Sequence, residues 1–403
     1  MRVVCHSQHL TGIGHHVRMH AIAAALAGAH EVHLVEGGRP VPRPVLPAEP
    51  ERIVVPTLLR TPGGELVGAT GEDAAAVLAA RARVLADAVT AIRPDVVLID
   101  HYPFSKWELR DEIDAAVDAA RAANAGGKVV CSLRDIAPQT RHEQVAATVY
   151  ADEVARRLAE RFDALLVHAD PAWSRLADHF EAAAALALPV RATGYVVEPT
   201  LAPRDGELPA EPFVIASAGG LRATEFLAAV IRAHAQVVTT APGMPRSLHV
   251  FAPAGADDTE LGQLVDQAVS DHVVVHPFST RFEAWLDAAT VSVSRAGYNT
   301  CAASLRSPAA VVLVPDPRLS DQTLRARRFA DAGGAISVES PDAAPPVEVL
   351  ATAMAAALVR RGVDPAGAPV PVAVDGAAVT VALLERLVAG EDPWVPEWQE
   401  LSR

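Results

Sequence analysis

The chain has 403 residues, of which 50% are hydrophobic and 21% are charged, and its formal net charge is −14. These values are typical of a globular protein with more than one core, and the negative charge argues against non-specific binding to nucleic acid or to an anionic membrane surface. The three cysteines, Cys5, Cys131 and Cys301, are far apart in sequence and predict reduced thiols in a cytoplasmic protein. No apolar stretch approaches the ~20 residues that a transmembrane helix needs, and the N-terminus enters a strand without a signal region.

Short apolar strands alternate with helical segments in the first half of the chain. The predicted strands are Arg2–Cys5, Glu31–Val35, Ile53–Val55, Asp95–Asp100, Lys128–Leu133, Ala164–His168 and Arg191–Val197. The predicted helices are Val17–Ala27, Asp73–Ile92, Trp107–Ala123 and Arg141–Arg161. Apart from its one strand, the Pro- and Gly-rich segment 39–71 is predicted to be loop. This alternation favours a parallel sheet with helices on both faces.

The second half repeats the scheme after a proline-rich connector. Its predicted strands are Phe213–Ala216, Leu248–Phe251, Val273–Val275, Val291–Ser294, Val311–Val314 and Ala335–Val338, and the last helix is Ala377–Ala389. We therefore divide the chain into a first domain (1–198), a linker (199–212), a second domain (213–376) and a C-terminal helix and tail (377–403). Two parallel α/β domains that face each other create a cleft, where a ligand site is expected.

The segment 291–329 carries the clearest chemical signal. A strand ends at Ser294, Gly297 makes a turn, and a helix is predicted to begin near Asn299 and Thr300. Free backbone N–H groups at such a helix start favour an anion. The pattern predicts a diphosphate-bearing ligand late in the chain, whereas a dinucleotide-binding fold holds it at the first turn.

Four motifs together resemble a known family. They are T-G-I-G-H-H (Thr11–His16), D-H-Y-P-F (Asp100–Phe104), S-L-R-D-I (Ser132–Ile136) and S-R-A-G-Y-N-T (Ser294–Thr300). With two facing α/β domains, they resemble the GT-B glycosyltransferases, and within them the family 28-like group that contains the lipid II-forming N-acetylglucosaminyltransferase. The resemblance covers most of the chain. It implies two facing Rossmann-like domains, an interdomain cleft and sugar transfer from a nucleotide diphosphate. The C-terminal tail is expected to cross back to the first domain, and no cofactor is expected besides the nucleotide sugar as co-substrate.

The resemblance assigns catalysis to His15. Gly12 and Gly14 allow close backbone approach, and a neutral imidazole at or just before a helix start suits deprotonation or orientation of an acceptor hydroxyl at pH 7. A capping or packing role for His15 stays open, as does an exchange of roles with His16. For Arg18 a solvated position is favoured over one that faces the cleft.

The donor is expected in the second domain. By resemblance, the turn after the first strand of that domain lies beside the diphosphate, Phe278 lies near the nucleobase, and the Asp321–Gln322 pair binds sugar hydroxyls. The expected donor-binding residues are Gly14, Ser217, Gly219, Gly220, Arg222, Phe278, Ser294, Arg295, Gly297, Asn299, Thr300, Asp321 and Gln322. An ordinary βα turn, a core Phe278 and helix capping by Ser320 or Asp321 are the structural alternatives. The basic face formed by Arg325, Arg327 and Arg328 is expected to be solvated or to face the other domain.

One position departs from the family pattern. The lipid II-forming enzyme has a Glu six residues after the turn glycine that accepts hydrogen bonds from the ribose diol, and here that position is Ala303. Three explanations follow: the donor is a dTDP-sugar, another residue such as Ser304 substitutes, or donor binding is degraded. The donor is therefore expected to be UDP- or dTDP-linked, with UDP-GlcNAc as one candidate.

The acceptor side is expected in the first domain. The candidate acceptor-side residues are Asp100, His101, Trp107 and Arg134. A small-molecule or carrier-bound acceptor, as in secondary metabolism, is favoured over a membrane-bound one because no apolar and basic patch is evident. The oligomeric state does not follow from the sequence.

Metal binding and two rival functions complete the alternatives. His16 and His20 have the i,i+4 spacing of two ligands on one helix, but no second ligand set and no Asp-x-Asp pair is present, so no metal site is expected. A sugar-nucleotide 2-epimerase of the same fold needs paired carboxylates, and no such pair is recognisable in the sequence. A catalytically degenerate nucleotide-binding protein is the non-enzymatic alternative.

Overall fold

A computed structural model gives the fold and describes residues 1–10, 12–61, 63–138, 147–219, 223–268, 270–363 and 372–391. Two Rossmann-like α/β halves make up these residues, each built on a parallel sheet with flanking helices. The fold class predicted from the alternation of strands and helices is confirmed. The three cysteines are buried and free.

The first half contains a mostly parallel set of strands. They are β1 (Arg2–His6), β2 (Glu31–Glu36), β3 (Glu51–Val54), β4 (Leu58–Arg60), β5 (Leu66–Gly68), β6 (Val96–Asp100), β7 (Lys128–Arg134), β8 (Ala164–His168) and β9 (Val190–Ala192). The helices are α1 (Gly14–Ala27), α2 (Ala74–Ile92), α3 (Arg110–Ala123) and α4 (Ala147–Arg161). Seven strands pair in the order β3-β2-β1-β6-β7-β8-β9, and β4 and β5 form a separate antiparallel hairpin.

Two local expectations for the first half are wrong. The segment 39–71 is not loop around one strand, because the hairpin of β4 and β5 also forms there, with Gly64 at φ 90° in its turn. The strand expected over Arg191–Val197 ends at Ala192 because Gly194 turns the chain at φ 83°. Tyr195 then exchanges backbone hydrogen bonds with Ala373 and Gly376.

The second half has the same layered order. Its strands are β10 (Phe213–Ser217), β11 (Ser247–Phe251), β12 (Val273–His276), β13 (Val291–Ser294), β14 (Ala310–Leu313) and β15 (Ile336–Ser337). Its helices are α5 (Ala223–Thr240), α6 (Asp258–Gln267), α7 (Phe282–Ala288), α8 (Tyr298–Ser304), α9 (Ser320–Asp331) and α10 (Val347–Val363). The strands pair in the order β12-β11-β10-β13-β14-β15, and every pairing is parallel.

A final helix, α11 (Gly376–Val388), packs on the first half. Its Leu384 joins the apolar cluster of Met19 and Leu26 on α1. Residues 392–403 of the expected crossing tail lie outside the described residues. Within the part of the chain that the structure describes, no helix combines the length and apolar character that crossing a bilayer requires.

Candidate active site

The candidate site lies where each sheet reverses its strand order. The reversal falls between β1 and β6 in the first sheet and between β10 and β13 in the second. In open parallel sheets, a ligand crevice forms outside the carboxyl ends of the strands at this point. Asp100 is the last residue of β6, and Ser217 and Ser294 are the last residues of β10 and β13. Both switch points therefore carry residues predicted from the sequence.

His15 and Asp100 meet at the first switch point. His15 is the second residue of α1, and its Nδ1 lies 2.8 Å from Oδ2 of Asp100. The His15 side chain is 21% exposed, whereas that of Asp100 is fully buried. A carboxylate beside Nδ1 favours the tautomer with its proton on Nδ1, which leaves Nε2 as a proton acceptor.

The surroundings set both groups in the ionisation states that this chemistry needs. Burial, and next the nearby positive charge of Arg134, hold the pKa of His15 well below its usual range, although Asp100 acts in the opposite direction. Burial alone would raise the pKa of Asp100, but the neighbouring His15 and Arg18 hold it well below its usual range. At neutral pH the pair is therefore a neutral imidazole beside a carboxylate.

Arg18 belongs to the site, in the less favoured of the two positions expected for it. Its expected exposure is wrong: Arg18 is 1% exposed and pairs with Oδ1 of Asp100. Lys106 approaches the same carboxylate at 3.9 Å and donates to the carbonyl oxygen of Gln8. Burial, which outweighs the attraction of Asp100, lowers the pKa of Lys106 to about 8.

His101 lies directly against His15. The two rings meet edge to face with their centroids 4.9 Å apart, and His101 Nδ1 lies 3.2 Å from the hydroxyl of Ser105. His101 has φ 64°, a left-handed conformation that costs a non-glycine residue about 1–3 kcal/mol. Such strain is found preferentially at functional sites, where the surrounding structure enforces it.

The N-terminus of α8 brings the second half against this cluster. Asn299 donates from Nδ2 to the carbonyl oxygen of Gly14 at 3.1 Å. The Tyr298 hydroxyl donates to the carbonyl oxygen of His168 at 2.9 Å and accepts from the backbone N–H of Val196 at 2.9 Å. The two switch points therefore face each other across a short distance.

A second contact between the halves is a buried ion pair. Arg325 on α9 donates from Nε and Nη2 to both carboxylate oxygens of Asp135, each at 2.7 Å. Both residues are 1% exposed. Arg325 also donates to the carbonyl oxygen of Ala296 and to Asp321. Of the two positions expected for Arg325, solvated or facing the other domain, the second is observed.

Arg134 lies between the two halves. Its guanidinium carbon lies 6.0 Å from the ring centroid of Tyr298. A Cβ added to Gly14 would stand 3.2 Å from its Nη2 and 3.6 Å from Nδ2 of Asn299, so a glycine leaves room for these groups. Burial, and next the charge of Arg18, lower the pKa of Arg134 to about 10.

The predicted donor residues are distributed unevenly. Gly297, Asn299 and Thr300 form the start of α8, and Phe278 is half-buried after β12. Arg295 is 4% exposed and donates to the carbonyl oxygens of Val314, Pro315 and Ala343. Gly219 has open space beside its Cα. Gly220 and Arg222 lie outside the described residues.

The pair at the start of α9 already has partners within the protein. Asp321 accepts from Arg325, and the side-chain oxygen of Gln322 accepts from the backbone N–H of Asp316 at 3.0 Å. Leu319 occupies the N-cap position of α9 and makes no side-chain cap, so capping by Ser320 or Asp321 is not observed. The Asp321 carboxylate is still 33% exposed.

Ala303 faces an apolar cluster. It is 3% exposed and belongs to the cluster of Phe213, Phe251 and Trp285. A carboxylate at this position would be buried against aromatic rings at high cost. Ser304, the proposed substitute, donates its hydroxyl to the carbonyl oxygen of Thr300 at 2.8 Å.

Two further predictions concern Trp107 and the pair of His16 and His20. Trp107 packs edge to face on Tyr102 at 5.3 Å and lines a polar groove of about 350 Å³ between α3 and α4. The rings of His16 and His20 stack with their centroids 6.1 Å apart, and Nε2 of His20 lies 3.1 Å from Oε2 of Glu49. In the described ranges, no three His, Cys, Asp or Glu side chains converge as a metal site.

Comparison with known proteins agrees with this arrangement. Residues 214–355, from β10 into α10, match the model of the glycosyltransferase family 28 C-terminal domain. The chain is a GT-B glycosyltransferase, and its second domain is of the family 28 type. The fold and the enzyme class predicted for this glycosyltransferase are thereby confirmed. No curated protein sequence matches the chain.

Solved structures share the fold of the glycosyltransferase over nearly its whole length. The glycosyltransferase VinC in complex with dTDP has a TM-score of 0.54 at 16% identity and covers 97% of this chain and 100% of its own. Acinetobacter baumannii MurG has a TM-score of 0.51 at 15% identity, with 96% and 100% covered. A UDP-glucosyltransferase from Polygonum tinctorium has a TM-score of 0.61 at 11% identity, with 96% and 98% covered. At these identities the likeness concerns the fold.

Proposed function

We propose that the protein transfers a sugar from a UDP- or dTDP-linked donor to a hydroxyl or amine of a small-molecule or carrier-bound acceptor, as in natural-product biosynthesis, without a metal ion. The observation that carries this proposal is the His15–Asp100 pair, which lies opposite the start of α8. In this proposal residues 1–198 hold the acceptor, residues 213–376 hold the donor, 199–212 link them, and 377–403 return to the first domain.

The proposed reaction uses His15 as a general base. Nε2 takes the acceptor proton while the acceptor oxygen or nitrogen attacks the anomeric carbon. The bond from that carbon to the β-phosphate oxygen breaks, and its electron pair stays on the nucleoside diphosphate. Asp100 lies 2.8 Å from Nδ1 and stabilises the imidazolium that forms.

In this proposal, groups of the protein stabilise the negative charge of the leaving diphosphate. The first residues of α8 follow Gly297 with backbone N–H groups that have no intrahelical partner. Arginine and lysine side chains of the same region supply positive charge, in place of a divalent cation. The relatives support the donor class, because VinC is in complex with dTDP and the Polygonum tinctorium enzyme is a UDP-glucosyltransferase.

Calorimetry with UDP and dTDP tests the donor class. We expect both to bind, with affinities within about tenfold of each other, because Ala303 offers no charged acceptor, a group that would add about 1.5–3 kcal/mol for a ribose diol. Incubation with UDP- and dTDP-sugars should then release the nucleotide. If neither nucleotide binds, the proposal is rejected. If an epimerised donor forms without an acceptor, the protein is an epimerase instead of a transferase.

A further inference from the structure

Three arginines, Arg18, Arg134 and Arg325, lie around the ring of Tyr298. In the described part of the chain, Arg134 is the one of the three that has no counter-ion. Its neighbours are paired: Arg18 with Asp100, and Arg325 with Asp135. Among the described residues, Arg134 makes no such pair within ion-pairing distance, and its Nε is buried without a hydrogen-bond partner there. Arg134 as a residue is only partly buried. A desolvated guanidinium without a counter-ion is costly in the free protein.

The charge balance around Arg134 favours an anion. Among the described residues of this region, the cations are Arg18, Lys106, Arg134 and Arg325, and the carboxylates are Asp100, Asp135 and Asp321. The excess positive charge lies at the residue that has no partner. A planar guanidinium binds two oxygens of one phosphate or carboxylate at once, so the missing partner is an anion of this kind.

The position of Arg134 favours the donor as the source of that anion. The residue ends β7 in the first domain, but its guanidinium lies over Tyr298, the first residue of α8 in the second. It also lies beside Gly14, whose carbonyl oxygen is held by Asn299. The side chain thus reaches the place where the first turn of one domain meets the proposed diphosphate site of the other.

We propose that Arg134 binds the diphosphate of the donor, so that the first domain supplies part of the leaving-group site. This inference rests on the proposed function and replaces the acceptor-side role expected from the sequence. It also connects donor binding to the base. Arg134 helps to lower the pKa of His15, so a diphosphate that neutralises Arg134 makes His15 a stronger base when the donor is in place.

Titration calorimetry of the full chain tests this role. UDP and dTDP are the diphosphate probes, and uridine and thymidine are the probes without phosphate. We expect R134Q to weaken UDP and dTDP binding by about 10- to 100-fold, because a charge-assisted hydrogen bond to phosphate is lost, and to leave nucleoside binding unchanged. R134K keeps the positive charge but loses the planar guanidinium that can donate two hydrogen bonds to one phosphate. Its affinity for UDP and dTDP should therefore lie between those of R134Q and the wild type. R327Q is the matched control, since Arg327 is 60% exposed and pairs with Glu339.

Stability separates a binding role from a structural one. Removing a desolvated cation that has no counter-ion should leave the melting temperature of the free protein unchanged or raise it, whereas loss of a structural contact should lower it. Undiminished UDP and dTDP affinity in R134Q would overturn the inference. A higher KM for the acceptor with unchanged nucleotide affinity would assign the anion to the acceptor. If the wild type binds neither nucleotide, the proposed function itself fails, whereas equal binding by wild type and R134Q rejects this inference alone.

Discussion

Replacing His15 by alanine is expected to lower turnover by about 100- to 10,000-fold, the usual contribution of a general base. Nucleotide affinity should stay near that of the wild type, because the change removes the proton acceptor and leaves the start of α8 intact. The Asp100→Asn variant should also turn over more slowly, though by a smaller factor than His15→Ala, since an amide cannot stabilise the imidazolium as a carboxylate does. Measurement of kcat, together with calorimetry for UDP and dTDP, checks both expectations.

The neighbouring histidine supplies the control for this prediction. His16 is 4% exposed, and its ring lies against the rings of His9 and His20, with centroids 5.2 Å and 6.1 Å apart. H16Q should therefore turn over at close to the wild-type rate. Full turnover by H15A, or an equal loss in H15A and H16Q, would contradict the role of His15.

The pH profile gives an independent check on the base. Protonation of His15 abolishes its function, so activity falls as the pH drops through the pKa of His15 in the folded protein. Because burial and Arg134 hold that pKa well below its usual range in the free enzyme, kcat/KM for the donor, which reports the free enzyme, should remain on its plateau at pH values below about 6.5, where an ordinary histidine is already half protonated. An acidic limb centred near the usual value would show that His15 is not the group that titrates.

The sequence was sufficient to predict what depends on local pattern. The β-branched runs predicted the strands, and their alternation with helices predicted parallel sheets, because each segment carries its own signal. Gly14, His15 and Asp100 were identified individually from turn chemistry and resemblance. The 2.8 Å contact of His15 with Asp100 was not predicted, since the two lie 85 positions apart and meet only because β1 and β6 are neighbours in the sheet.

Two buried arginines show which features of the site local sequence does not determine. A single arginine on a helix is usually solvated, and nothing in the sequence around Arg18 or Arg325 marks a partner. Arg18 is buried because α1 packs between the first sheet, α11 and the second domain, where Asp100 compensates its charge. Arg325 is buried because Asp135 faces it from the other domain. Pairing between distant segments is a tertiary property, and local periodicity contains no record of it.

Replacing Arg325 by methionine is expected to lower the free energy of unfolding by about 3–5 kcal/mol, because Asp135 would remain buried without a partner. The same change removes the hydrogen bond to the carbonyl oxygen of Ala296, next to the turn at Gly297. Urea unfolding followed by both far-UV circular dichroism and tryptophan fluorescence measures the effect. Two probes are needed because two domains that have lost their contact can unfold in separate transitions.

Arg327 and the double variant decide whether the buried pair is the cause. R327M changes an arginine two positions along α9 that is 60% exposed, and an exposed ion pair contributes about 0–1 kcal/mol. Combining R325M with D135L replaces both charges by apolar groups, so most of the lost stability should return. If R325M and R327M are equally stable, the pair does not hold the domains together. If the double variant is less stable than R325M, the contacts of Arg325 with Ala296 and Asp321, rather than the unpaired Asp135, account for the loss.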